Sequence, residues 1–148
     1  MSIKQELLQV CMDYVNKRIN NYKLEMDVIR DSIENGDKSS DEDDDGGKGK
    51  LLNDMEKNAQ HLNDATRMLE TLKQINPKIQ NESGMLGSII YTQSNNFFLS
   101  VSVGKIDLDG SSYFAISLQS PIGTQLRNKT KGDQIQFNGV TYTITNII

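Results

Sequence analysis

The residues with the most obvious chemical potential are five consecutive acids, Asp41, Glu42, Asp43, Asp44 and Asp45. Carboxylate oxygens suit Mg²⁺, and one or two added carboxylates are enough to recruit this ion beside ligands that already hold it. Crowded acids repel one another in water, so we expect no tightly bound metal in the free protein. A run of like charges is equally typical of an inert, solvated loop. The block alone leaves both interpretations open.

Apart from the acidic block, no set of residues in the sequence has a spacing typical of a catalytic or metal site. The single cysteine, Cys11, excludes an internal disulfide, and no Cys/His set has zinc-ligand spacing. No nucleophile–base pair or glycine-rich phosphate loop stands out, which argues against an autonomous enzyme. We expect Cys11 to be a small buried hydrophobe. We expect His61 to lie on the flank of a helix.

The charges are divided unevenly along the chain. Up to Ser83 there are seventeen Asp and Glu against twelve Lys and Arg, and from Gly84 onward three against four. This distribution predicts two units with different roles and argues against broad duplex DNA binding through a basic face. We also expect no sequence-specific DNA binding. No apolar run approaches the roughly 20 residues that a membrane span needs, and the first residues lack the apolar core of a secretory signal. We therefore predict a soluble cytoplasmic protein.

A long helix is predicted over the first 35 residues. Ser2 and Gln5 have the spacing of a capping box, and Asn35-Gly36 is a usual helix end. At about 1.5 Å per residue, such a helix is roughly 50 Å long. Apolar residues recur along it in steps of three and four, close to a heptad seam: Leu8, Cys11, Val15, Ile19, Tyr22, Met26, Ile29 and Ile33.

A second helix with the same period is predicted to end at Asn76-Pro77. Its expected seam is Leu52, Met55, Ala59, Leu62, Thr66, Leu69 and Leu72. The stretch from Gly36 to Lys50 contains no apolar residue. Acids at a helix N-terminus favour extending the second helix into this stretch, whereas each glycine opposes it by about 1 kcal/mol, which leaves the start of the helix open.

Two such helices can pair within one chain or between chains. The tether gives the partner within the chain a high effective concentration, which favours a monomer with an antiparallel helical hairpin. The acids then lie near the tip, at about residues 37–47. Residues 1–77 form the predicted hairpin and 78–83 a polar linker.

Residues 84–148 are predicted to form a small antiparallel β domain with one short helix, which makes the chain an α+β protein. Turn signals at Asp109-Gly110 and Asn138-Gly139 predict tight hairpins. Ser120-Pro121 predicts a helix start, with the serine as N-cap and the proline at the first helical position. The predicted elements are strands 86–92, 96–103, 105–108, 113–118, 134–137 and 141–147, and a helix over 121–128.

The C-terminal part carries a specific resemblance. The stretch Ile116-Ser117-Leu118-Gln119-Ser120-Pro121-Ile122-Gly123 is followed by Leu126, by Gly132-Asp133 and by Tyr142-Thr143-Ile144. These residues, together with the hairpin, the acidic tip and the β domain, resemble the Gre-type (GreA/GreB-like) transcription elongation factors. In residue detail the resemblance covers mainly positions 113–147.

The resemblance implies an FKBP-like C-terminal domain without prolyl isomerase activity. It implies that this domain docks on bacterial RNA polymerase core at the rim of the secondary channel, with Ser120, Pro121, Ile122 and Gly123 as partner-binding residues. The hairpin would bring Asp41–Asp45 to the polymerase's own Mg²⁺, near the 3′ end of the nascent RNA. Such a factor stimulates the polymerase's own nuclease activity on backtracked RNA and has no active site of its own.

The tip departs from the family pattern. Cleavage factors usually carry an Asp and a Glu separated by two residues and followed by Asn-Ala-Glu-Tyr, whereas here five acids precede glycines. Some relatives with acid-rich tips inhibit polymerase by occupying the same channel, and the resemblance is compatible with that role too. A third possibility is a coiled-coil scaffold protein unrelated to polymerase. Lys48 and Lys50 are candidates for contacts with transcript phosphates, or they balance local charge.

Overall fold

The computed structural model describes residues 1–36 and 45–148, and its N-terminal part consists of two long helices. Helix α1 spans Ile3–Gly36 and helix α2 spans Asp45–Lys73. At about 1.5 Å per residue, α1 is roughly 51 Å long. The predicted capping box is present: the Ser2 N–H donates to Gln5 Oε1 at 3.0 Å, and the Gln5 N–H donates to Ser2 Oγ at 3.1 Å. Helix α2 includes Gly46, Gly47 and Gly49, so extension of the helix outweighs the glycine penalty.

The α1 seam is confirmed, but the predicted α2 seam is wrong by one residue at two positions. Leu52 and Thr66 are exposed, whereas Leu51 is half-buried and Ala65 is buried. The covered face of α2 has regular steps of four and three: Leu51, Met55, Asn58, Leu62, Ala65, Leu69 and Leu72. A polar residue, Asn58, occupies one position of this face, and its side chain donates to the Asp54 carbonyl.

The remaining chain forms a six-stranded sheet and one short helix, which confirms the α+β fold class. The strands are β1 (Ile89–Thr92), β2 (Asn96–Ser100), β3 (Gly104–Leu108), β4 (Ser111–Ser117), β5 (Gln134–Phe137) and β6 (Val140–Ile147), and α3 spans Pro121–Leu126. The order across the sheet is β3-β4-β2-β1-β6-β5. All neighbouring pairs are antiparallel except β2 and β4, which are parallel. The predicted antiparallel sheet is thus mostly antiparallel, with one parallel pair that was not predicted.

Both predicted tight turns are present. Asp109 and Gly110 have φ of 51° and 80°, and Asn138 and Gly139 have φ of 51° and 77°. A type I′ turn needs positive φ at both central residues, and Asn-Gly and Asp-Gly tolerate this conformation best. The turns fix the register of β3 on β4 and of β5 on β6.

The chain forms two compact units. The first contains Met1–Tyr14 and Glu70–Ile148, and the second contains Val15–Leu69. The first unit therefore includes the start of α1 and the end of α2, which we call the helix base, together with the whole sheet. The predicted domains 1–77 and 84–148 follow secondary structure instead of packing, and their boundaries stay a prediction.

Within the first unit, each face of the sheet is covered by a different partner. Helix α3 packs on one face through Ile122 and Leu126, against a cluster that includes Ile90, Phe97 and Ile144. On the other face Ile89, Phe98 and Ala115 lie side by side on three adjacent strands and are buried. The helix base contacts this second side, where the Cys11 thiol hydrogen-bonds the Ser100 side chain.

The segment predicted as a polar linker is tied to the first unit. Lys4 is 4% exposed, and its Nζ donates to the Ile79 carbonyl at 2.9 Å. Asn81 is buried, and Ser83 forms an isolated antiparallel bridge with Thr130. The Gly84 N–H donates to the Lys129 carbonyl at 2.8 Å.

None of the helices in the described residues combines the length and the apolar character that a membrane span needs.

Candidate functional site

In the sequence, the acidic block falls between the end of α1 and the first residue of α2. Asp41, Glu42, Asp43 and Asp44 lie outside the described residues, and α2 begins at Asp45. In the described ranges 1–36 and 45–148, no group of three or more His, Cys, Asp or Glu side chains could hold a metal ion. The role of Asp41–Asp45 as Mg²⁺ co-ligands stays a prediction, and the donor set suits it because carboxylates are hard oxygen ligands.

A ring contact joins α1 to α2 in the second unit. The Tyr22 and His61 rings are stacked with centroids 5.5 Å apart and planes inclined by 22°. Arg18 Nη2 donates to the Tyr22 hydroxyl at 2.6 Å, and the guanidinium carbon lies 5.7 Å from the Tyr22 ring centroid. His61 is exposed, as expected for a flank residue, but its contact with Tyr22 was not predicted. The hairpin itself could have suggested it, because the two residues lie at nearly equal distances along the chain from segment 37–44.

Two ion pairs on the helices are solvated. Arg30 contacts Asp27 at 3.1 Å and Arg67 contacts Asp64 at 3.8 Å, with all four side chains more than half exposed. Exposed pairs of this kind contribute about 0–1 kcal/mol each. Lys48 and Lys50 are exposed in the first turns of α2. Their contact with phosphates stays a prediction.

The Ser120–Gly123 stretch forms the start of α3 as predicted. Ser120 is the N-cap: its Oγ accepts from the Gly123 N–H at 3.1 Å and donates to the Ser117 carbonyl at 2.7 Å. Pro121 occupies the start of the helix, where its missing N–H costs nothing. The side chain of Ser120 thus links α3, through Gly123, to the end of β4, through Ser117.

The four predicted partner-binding residues differ in accessibility. Ile122 and Gly123 are buried, Ser120 is half-buried, and Pro121 is exposed. In this conformation a partner can touch only Pro121 and part of Ser120, while Ile122 packs inside the α3 cluster. Partner binding by this stretch stays a prediction.

The Gly132-Asp133 part of the signature forms a hydrogen-bonded turn. Asp133 Oδ2 accepts from the Thr130 N–H at 2.8 Å and from the Thr130 hydroxyl at 3.2 Å. The bond from the Thr130 N–H, assisted by the hydroxyl and by nearby Lys129, lowers the pKa of Asp133. Gly132 has φ of 95°, a conformation that glycine adopts without strain. These two signature residues have a complete structural explanation.

Two residues of the helix base have perturbed pKa values. Burial raises the pKa of Cys11 to about 11, and the hydrogen bond with Ser100 offsets part of that shift. Burial also lowers the pKa of Lys4. Both residues hold the helix base to neighbouring segments and are not part of a cleft with a nucleophile and a base.

Comparison with known proteins gives structural likenesses only. No family model matches the chain, and no curated protein matches it. The GreA factor homolog 1 (Gfh1) of Thermus thermophilus is 17% identical at a TM-score of 0.35, covering 97% of this chain and 93% of that one. A solved structure of the transcription factor Gfh1 is 15% identical at a TM-score of 0.36, covering 93% of this chain and 92% of that one. Thermus aquaticus Gfh1 is 17% identical at a TM-score of 0.33, covering 97% of this chain and 92% of that one. At TM-scores this low, the likeness does not define the function of this chain.

Proposed function

We propose that this protein regulates transcription elongation by binding bacterial RNA polymerase core at its secondary channel. The first unit docks on the polymerase, and the connection between α1 and α2 brings Asp41–Asp45 near the catalytic Mg²⁺. The observation that carries the proposal is the start of α3, where Ser117, Ser120, Pro121 and Gly123 form one hydrogen-bonded cap from the residues that resemble the Gre-type signature. The two long helices support it, because in the sequence the acids follow α1 and stand at the start of α2.

The acids would act as auxiliary ligands in this function. In two-metal phosphoryl chemistry the ions stabilise the attacking and the leaving oxygens, and here the polymerase supplies the primary ligands. Carboxylates from the factor would help to hold a second Mg²⁺ and to orient a water for hydrolysis of backtracked RNA. The chain itself remains a factor and not an enzyme.

The sequence of the tip favours a second function at the polymerase secondary channel, namely inhibition. The five acids are consecutive and are followed by Gly46, Gly47 and Gly49, without the Asn-Ala-Glu-Tyr tetrad of cleavage factors. A tip of this kind suits an inhibitor that occupies the channel and competes for the metal without positioning a water. Both outcomes need the same docking and the same acids.

The test combines retention on polymerase with an assay on stalled elongation complexes. We expect immobilised core polymerase to retain the protein, and changing all five acids of Asp41–Asp45 to Ala to leave retention intact. The same variant should lose the effect on the stalled complex, seen as shortened transcripts for a cleavage factor or as slowed extension for an inhibitor.

A charge-matched control separates the tip from general acidity. This control replaces five exposed acids elsewhere on the two helices by Ala: Glu25, Asp31, Glu56, Asp64 and Glu70. We expect it to behave like the unchanged protein. Failure of purified polymerase to retain the protein would reject the proposed function, and an unchanged effect after loss of Asp41–Asp45 would reject the role of the tip.

A further inference from the structure

An open groove runs along the first unit beside the end of β6. Its volume is about 580 Å³, within the range of about 300–1,000 Å³ typical of ligand sites. None of its lining residues belongs to α3. The lining residues are Gln80, Asn81, Glu82, Thr130, Lys131, Asn146 and Ile147.

The groove is lined by a carboxamide, that of Asn81, which has no hydrogen-bond partner among the described residues. Asn81 is only 9% exposed, and among the described residues none forms a hydrogen bond with its side chain. No fully buried polar side-chain atom of the described chain lacks a partner. The Asn81 carboxamide must therefore keep access to solvent, and it does so through the groove that it lines. A carboxamide offers both a donor and an acceptor.

The groove also borders an unpaired edge of β6 at Ile147. Ile148 exchanges both backbone hydrogen bonds with Ile89, at 3.1 and 3.0 Å. Successive residues of an antiparallel strand point their N–H and C=O groups to opposite edges, so those of Ile147 point away from β1. The pairing of β5 with β6 ends at Thr143 of β6. The last backbone hydrogen bonds on that edge of β6 join Ile144 to Gly132 and to Asp133. Beyond Ile144, no described strand covers this edge.

The charges of the groove are balanced. Glu82 and Lys131 are both exposed and line it together, and the other lining residues are uncharged. A polyanion such as a nucleic acid would meet one base and one acid, which gives no net attraction. An extended peptide segment presents backbone N–H and C=O groups in alternation. These groups can form hydrogen bonds with both the Asn81 carboxamide and the Ile147 peptide group.

We propose that this groove binds an extended peptide segment by strand addition to the edge of β6 at Ile147. The Asn81 carboxamide hydrogen-bonds a peptide group of the segment on its other side. Main-chain bonds give affinity in this mode, and Glu82 and Lys131 select basic and acidic side chains on the segment. The proposal does not depend on the role with RNA polymerase.

The test is a titration of the ¹⁵N-labelled protein with the blocked peptide Ac-Thr-Glu-Val-Lys-Val-Thr-NH₂, followed by NMR. We expect saturable shift changes centred on the Ile147 backbone amide and the Asn81 side-chain amide. Asn81→Ala should weaken binding about tenfold, equivalent to losing one or two hydrogen bonds, without lowering Tm. The control Asn63→Ala, at an exposed position of α2, should bind like the unchanged protein.

A second arm uses the unchanged protein, so it does not depend on the folding of a variant. The same peptide N-methylated at both valines has lost two backbone donors, and we expect it to bind at least tenfold more weakly. Equal binding of the methylated peptide, or no saturable shift with the unmodified peptide, would overturn strand addition. Displacement of the peptide by inorganic phosphate would assign the groove to an anion and overturn the proposal as well.

Discussion

Cys11 shows how one buried residue attaches the helix base to the sheet. The side chain is fully buried, it hydrogen-bonds Ser100 of β2, and its pKa is raised to about 11. A thiol whose pKa is raised by burial is almost entirely protonated near neutral pH, and the thiolate is the reactive form. The residue therefore acts as a small apolar contact and not as a nucleophile.

We expect the Cys11 thiol to resist 5,5′-dithiobis(2-nitrobenzoic acid) at pH 8 in the folded protein and to react completely in guanidinium chloride. The folded thiol is both inaccessible and protonated at that pH, whereas the unfolded thiol has a pKa of about 8.5. Absorbance of the released thionitrobenzoate measures both rates. Rapid reaction of the native protein, at a rate close to that of the unfolded chain, would contradict the burial of Cys11.

Two glycines give a matched pair of substitutions. A Cβ at Gly84 would lie 1.9 Å from the Leu126 carbonyl oxygen, whereas a Cβ at Gly49 in α2 meets nothing within 4 Å. We expect Gly84→Ala to lower the free energy of unfolding by about 1–3 kcal/mol, because the backbone of α3 must shift. We expect Gly49→Ala to leave it unchanged or raise it by about 0.5–1 kcal/mol, because alanine favours the helix. Urea unfolding measures both, and equal effects would contradict the close approach at Gly84.

At the scale of elements, the covered face of α2 is set by a continuous heptad pattern that includes one polar residue. Leu51 and Leu52 are adjacent and chemically identical, but only Leu52 lies on the open side, with 52% of its surface exposed. Burial of a whole leucine stabilises a protein by about 1.5–3 kcal/mol, so a half-buried one contributes about 1 kcal/mol.

This pair predicts different outcomes for the same substitution. Leu51→Asn should destabilise the paired helices by about 1 kcal/mol, and Leu52→Asn should change their stability by less than about 0.5 kcal/mol. Amide hydrogen exchange over residues 51–69 measures the local opening free energy of α2. Faster exchange in the Leu52 variant than in the Leu51 variant would show that Leu52, and not Leu51, lies on the covered face of α2.

Much of the element structure could be predicted from the sequence, because local chemistry determines it. The Ser2–Gln5 box, the Ser120-Pro121 start and the two I′ turns need only their own residues. The α2 register could not be predicted, because Asn58 breaks the apolar pattern that defines it. The parallel pairing of β2 with β4 is a long-range choice: β3 lies outside β4, and turn residues do not encode that order.

The candidate site was predictable only in part. The acids, the basic residues and Ser120–Gly123 could be named from composition and resemblance. The burial of Ile122, the contact of Tyr22 with His61 and the groove beside Asn81 each arise from segments distant in sequence. The groove in particular joins residues 80–82 with 130–131 and 146–147, and Asn81 carries no sequence signal of its own.

At the scale of the whole molecule, the helix base and the sheet form one compact unit, and Val15–Leu69 forms the other. The proposed function assigns docking to the first unit and delivery of carboxylates to the junction of α1 and α2. Loss of docking should therefore abolish every effect on polymerase, whereas loss of the acids should abolish only the effect on the metal site.

The most direct test of this account is photo-crosslinking from the acidic junction within a stalled elongation complex. With p-benzoylphenylalanine at position 39, we predict crosslinks to the catalytic subunit of the polymerase near its Mg²⁺ or to the RNA 3′ end. The same group at position 121 should crosslink to the outer rim of the channel. Crosslinks from position 39 confined to the polymerase exterior, or no crosslink at all, would contradict the account.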